Sequence, residues 1–135
     1  MSAARRNLAA MTIEVGLRGE VHLIVGEADT ALALGSGSVP VLGTPRVVAL
    51  CEQAAVAAIT GKLDDGTTTV GMRVQIDHLQ PTAVGRAVSA EAILERVEGR
   101  RLTFMVSVHD PRGLVAAGKV TRVVIDVQRF MEKAT

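Results

Sequence analysis

The chain has 135 residues, 48% of them apolar and 21% charged, with a formal net charge of +1. Those figures describe one domain of ordinary soluble composition, long enough to bury a single core. Two Phe, no Trp and no Tyr exclude an aromatic platform for single-stranded nucleic acid, and mixed charges without a basic stripe exclude a phosphate-backbone partner.

Residues 1–12 are small, basic and unpatterned, and read as a loose tail preceding one domain over 13–130. The apolar stretch after Arg5 and Arg6 is too short for a secretory signal, and no later run reaches membrane-spanning length. Residues 17–25 read as a strand, 28–34 as at most a short helical turn, and 35–40 (Gly-Ser-Gly-Ser-Val-Pro) as a flexible connection. Thr44-Pro45 then opens the clearest helix, with Thr44 as N-cap and Pro45 as the first helical residue, running to a stop at Gly61. Apolar residues occupy nearly every side of it, so it needs a sheet curled about it or a second subunit. Cys51, the one cysteine, lies in this helix; it has no internal disulfide partner, which points to a reducing cytoplasm. One Cys and three scattered His give no close ligand pair, so the usual zinc arrangements are not expected.

After a polar loop the period changes to two. Val70, Met72, Val74, Ile76 and His78 alternate with Gly71, Arg73, Gln75 and Asp77, predicting a half-buried strand whose even face packs on the helix. A strand from about Val84 to Val97, a hairpin at Glu98-Gly99, and a return over 101–109 with Leu102, Phe104, Val106 and Val108 on one face follow. Asp110-Pro-Arg-Gly113 is a turn, 114–127 a last strand, and the polar tail from Arg129 is expected to fray. One long helix against one antiparallel sheet makes an α+β architecture.

Three residues stand out chemically. Glu52 sits in the most apolar stretch of the chain, where a carboxylate costs several kcal/mol (about 3 or more) unless partnered. It either lies on a thin exposed stripe beside Gln53 or serves as a general base or positioning carboxylate. His78 shares the sheet face aimed at that helix; it is either a satisfied histidine at the core edge or the acid/base partner of the carboxylate. Thr44 is a helix cap, and the same hydroxyl, beside free N–H groups, is placed to orient a carbonyl or a water. His22 and His109 read as solvated. Eight helical residues leave Thr44 and Glu52 about 80° apart and about 12 Å apart along the axis, too far for direct contact. An irregular first turn, a substrate spanning the gap, or two subunits converging are the three ways round this.

At these residues the sequence resembles the fluoroacetyl-CoA thioesterase family of hot-dog proteins. The resemblance is carried by Gly43-Thr-Pro-Arg-Val-Val-Ala-Leu-Cys-Glu52, a threonine with a glutamate eight residues on, and by Val70-Gly-Met-Arg-Val-Gln-Ile-Asp-His78. Val97 to Leu102 with Val106 to Asp110, and Gly118-Lys-Val-Thr-Arg122, are similar to its central hairpin and last strand. The resemblance covers about residues 12 to 130 and implies a curved antiparallel sheet wrapped around one central helix, the hot-dog fold. It implies a homodimer binding acyl-CoA at the subunit interface and hydrolysing a small or medium acyl thioester, with Thr44, Glu52 and His78 as the catalytic set. It also implies substrate contacts at Gly71 and Arg122, and no metal or bound cofactor. A hot-dog protein that binds acyl-CoA or another small ligand without turnover is the alternative. Two departures are visible. The family's phenylalanine lid before the helix has no counterpart, since residues 35–43 contain no aromatic, so fluoroacetyl selectivity is not carried over; and the histidine two residues before the late arginine is Val120 here. Val39, Val41 and Leu42 are candidates to line the acyl pocket.

Overall fold

The computed structural model describes residues 13–135; the tail expected over 1–12 lies outside the described residues. Strand β1 (Arg18–Ile24) is followed by a 3-10 turn at Glu27–Asp29, a single helical turn α1 (Ala31–Leu34), and the long helix α2 (Thr44–Ala58). Four strands come next: β2 (Thr67–His78), β3 (Ala87–Glu98), β4 (Arg101–Asp110) and β5 (Gly113–Asp126). The chain closes on α3 (Val127–Ala134).

The five strands form one antiparallel sheet in the order β1-β3-β4-β5-β2. The last three strands are neighbours because their turns are tight. Gly99 takes the positive φ of 61° in the first turn, and Asp110 Oδ1 accepts from the Arg112 and Gly113 N–H groups in the second. Helix α2 lies across the sheet, mainly on β1 and β3. The core it closes comprises Val47, Leu50, Cys51, Ala54, Ala55 and Ala58 from the helix, alternate residues Leu102, Phe104, Val106 and Val108 of β4, and Val88, Ala90, Ala92 and Leu94 of β3. Small residues set the spacing: Gly19 of β1 is so close to the helix that a Cβ there would collide with the Ala54 carbonyl and the Ala58 nitrogen. With Trp and Tyr absent, bulk comes from Phe104, fully buried, and aliphatic side chains contributing about 1.5–3 kcal/mol each.

Several expectations are corrected. Gly43, not Thr44, is the N-cap of α2; Thr44 is its first helical residue, with Pro45 after it. Gly43 takes the position because it presses on α1, where a Cβ would come within 3.1 Å of Ala31 backbone atoms. The sheet face of β2 also differs. A bulge between Gly71 and Arg73 inserts one residue, so the alternation reverses across it. Thr69 (buried) and Gly71 point at the helix before the bulge, and Val74, Ile76 and His78 after it, while Val70 pairs with Val123 on the other face. Strand β3 starts at Ala87 rather than Val84, because Gly85, at φ 91°, turns the chain just before it. The C-terminal tail is helical: Asp126 caps α3 through the Arg129 N–H, and Val127, Phe130 and Met131 recur at helical spacing. This helix runs to Ala134, past residue 130. Among the described residues no helix is long and apolar enough to cross a membrane.

Candidate active site

Helix α2 and strand β2 carry two polar clusters. At the start of the helix, Thr44 Oγ1 and His78 Nδ1 are 2.8 Å apart. The hydroxyl can make this bond because it is not spent on capping. Arg46 and Val47 both donate to the Gly43 carbonyl, and Pro45 has no N–H. The Thr44 N–H is therefore the first turn's free backbone donor among the described residues, beside an exposed hydroxyl.

His78 is half-buried at the end of β2, and its Nε2 is buried without a hydrogen-bond partner. Orphaned buried N–H groups are rarer than orphaned acceptors. The network therefore assigns the proton to Nδ1, donated to Thr44 Oγ1, which frees the Thr44 hydroxyl hydrogen to point outward. Burial holds the imidazole below its ordinary value of 6.5, partly offset by the nearby Gln80 backbone. The ring is thus neutral at neutral pH. The unfolded chain takes up this proton at higher pH than the native state does, so stability present above about 6.5 is lost as pH falls toward the native value. The urea midpoint is expected to drop between about pH 7 and about pH 5, and to drop less in His78→Asn, which cannot titrate. Equal pH slopes in the two proteins would remove His78 from this role.

Two helical turns further on, Glu52 Oε2 accepts from Arg122 Nη1 at 2.7 Å. Arg122 is buried, with Nε on Thr69 Oγ1 and Nη2 on the Thr69 carbonyl, both at 2.9 Å. All three guanidinium nitrogens thus engage protein acceptors. Glu52 is about one-third exposed and turns toward β2, not toward Gln53. Its Oε1 accepts no hydrogen bond among the described residues. Gly71 makes the approach possible, since a Cβ there would collide with Glu52 Oε2. The sequence pattern selected Thr44, Glu52 and His78, the family resemblance added Gly71 and Arg122, and neither found Thr69, whose burial is readable only once the bulge is known.

The neighbouring thiol is not a nucleophile in this setting. Cys51 is fully buried, and burial, with the Glu52 charge adding to it, pushes the thiol up to about 12. Among the remaining arginines, Arg46 pairs with Asp29, Arg96 with Glu98 and Arg112 with Asp110. Arg73, Arg100 and Arg101 form no ion pair among the described residues.

In this arrangement a carboxylate with one free oxygen sits on the same helix as a hydroxyl oriented by a neutral imidazole. That is a set able to activate water and to hold an oxyanion. Comparison with known proteins agrees in kind. The family described as fluoroacetyl-CoA-specific thioesterase matches residues 25–128. The fluoroacetyl-CoA thioesterase of Streptantibioticus cattleyicolor is 36% identical over 93 residues, 69% of this chain and 67% of that protein. A solved structure of the fluoroacetyl-CoA thioesterase superposes with a TM-score of 0.85 at 30% identity, covering 90% of this chain and 96% of the other. A hot-dog-like protein from Thermanaerovibrio acidaminovorans reaches the same TM-score at 27% identity, over 92% of each chain.

Proposed function

We infer the chemistry from one premise: the chain belongs to the fluoroacetyl-CoA-specific thioesterase family, and it is a hot-dog thioesterase that hydrolyses an acyl-CoA thioester to the free acid and CoA. Glu52 is the base that takes a proton from water, or the nucleophile itself. As base it leaves the water oxygen to bond to the thioester carbon while the C–S bond breaks, and the proton held on the carboxyl passes to the departing thiolate; as nucleophile its own oxygen bonds to that carbon as the thiolate leaves, and water then hydrolyses the anhydride to acid and carboxylate, its proton going to the thiolate. Thr44 holds the carbonyl oxygen through its N–H and its outward hydroxyl, while His78 fixes that hydroxyl. Arg122 acts through Glu52 as a positioning residue, and Gly71 leaves the space in which carboxylate and thioester meet.

The site spans two subunits of a homodimer. One observation carries this reading: α2 is regular from Thr44 to Ala58, so Thr44 and Glu52 of one chain stand about 12 Å apart along it. Edge strand β2 supports it. Among the described residues its outer edge is unpaired, and Met72 and Val74 are exposed on it, the chemistry of an edge awaiting a second copy. We place the protein in the cytoplasm, where a single buried thiol needs no oxidising partner.

Mixing two inactive variants tests the interface. Thr44→Val and Glu52→Gln homodimers are each expected to lose thiol release by about 100-fold or more. Unfolded and refolded together, they form mixed dimers in which one site regains both groups, and thiol release returns to about half of wild type per mixed dimer. Absence of recovery in demonstrably mixed dimers would confine the site to one chain. Binding of CoA esters without turnover by the wild type would leave a ligand-binding protein instead.

A further inference from the structure

We propose that this site prefers neutral aliphatic acyl groups of four to six carbons, straight or branched, over two-carbon ones, and that Val39 and Leu79 set the preference; this rests on the thioesterase reading above. A cavity of about 330 Å³ adjoins the Thr44–His78 pair, between the 36–44 segment and residues 78–81. The wall that one chain supplies is aliphatic around Val39, Val41, Leu42, Leu79 and Pro81, and no charged side chain among the described residues contributes to it. An acyl group carrying a carboxylate would find no cation on this wall to compensate its lost hydration. The cavity also far exceeds a methyl group, which is about as large as the ~30 Å³ share of a water molecule. A two-carbon acyl group would leave most of it to water.

No aromatic closes or fills the space. Phe104 is fully buried in the core and Phe130 lies on α3. Val39 and Leu79, instead, are 56% and 54% exposed, apolar surface that an acyl chain would cover. Backbone hydrogen bonds hold the wall on either side of Val39. Leu42 N–H donates to the Thr82 carbonyl at 2.8 Å, Ala31 N–H to the Val41 carbonyl at 2.9 Å, and Ser36 N–H to the Ala31 carbonyl at 2.9 Å. An aliphatic slot discriminates by chain length, at about fourfold per methylene buried.

The test is kcat/KM by thiol release on acetyl-, fluoroacetyl-, butyryl-, isobutyryl-, hexanoyl- and succinyl-CoA, with wild type and Val39→Phe. Expected are a rise of about tenfold or more from acetyl to butyryl or hexanoyl, and succinyl below butyryl. In Val39→Phe, folded by circular dichroism, the butyryl-to-acetyl ratio falls by about tenfold. Leu79→Lys is expected to raise succinyl relative to butyryl. Preference for acetyl, or a ratio unmoved by both substitutions, overturns the proposal while leaving a thioesterase. No thiol release from any of the six esters overturns the hydrolase reading and the chain preference with it.

Discussion

Glu52→Gln is expected to fold as the wild type does and to lose kcat by about 100- to 10,000-fold with KM little changed. The substitution is isosteric, and Arg122 Nη1, now 2.7 Å from Oε2, still finds an oxygen on the amide. The Thr69 bonds to Arg122 do not involve Glu52 at all. What disappears is the capacity of the free oxygen to accept a proton or to attack carbon. A labelling experiment on the wild type detects one nucleophilic route. A single turnover in ¹⁸O-water leaves label in Glu52 only if the carboxylate attacks first and its acyl adduct is then hydrolysed at the protein carbon. A folded Glu52→Gln with wild-type kcat would remove Glu52 from the chemistry.

How much of this was legible in the sequence depended on whether local pattern or distant contact decided the outcome. Strand β4 was readable because Leu102, Phe104, Val106 and Val108 alternate without interruption and all are buried. Its flanking turns were readable from Gly99 and from Asp110 to Gly113. Strand β2 misled because alternation cannot register an inserted residue: the bulge between Gly71 and Arg73 moved the inward face from even to odd numbers upstream. The cap of α2 misled because the threonine hydroxyl before a proline offers a side-chain cap that glycine lacks. Close packing on α1 excluded a side chain at position 43, and the Thr44 hydroxyl was engaged by His78, 34 residues away. Helix α3 was missed because its apolar stripe is short and its remaining residues are polar. Glu52 was conspicuous by its apolar surroundings, yet its partner was not. Arg122 lies 70 residues on, and only the pairing of β2 with β5, with Gly71 opposite Arg122, brings the two together.

That pairing makes Arg122→Met the second large effect, on stability as well as rate. The guanidinium is buried and satisfies Thr69 twice and Glu52 once. Removing it leaves the buried Thr69 carbonyl and hydroxyl unpaired and the carboxylate without its cation. Breaking a fully buried pair costs about 3–5 kcal/mol; Glu52 is about one-third exposed, and screening there lowers the expectation to about 2–4 kcal/mol by urea unfolding. Arg122→Lys restores a charge near Glu52 but cannot fork to Thr69, so it should recover part of the rate and less of the stability. A double-mutant cycle with Glu52→Gln isolates the ion pair: the double variant should be less destabilised than the sum of the singles by about 1 kcal/mol or more. The kinetic signature then separates two roles for the arginine. A residue that grips CoA directly would raise KM when removed and leave the protein's stability intact. A residue that holds the Glu52 carboxylate in place lowers kcat, leaves KM nearly unchanged and destabilises the fold in the same variant, because the bonds that aim the carboxylate also tie β5 and β2 to helix α2.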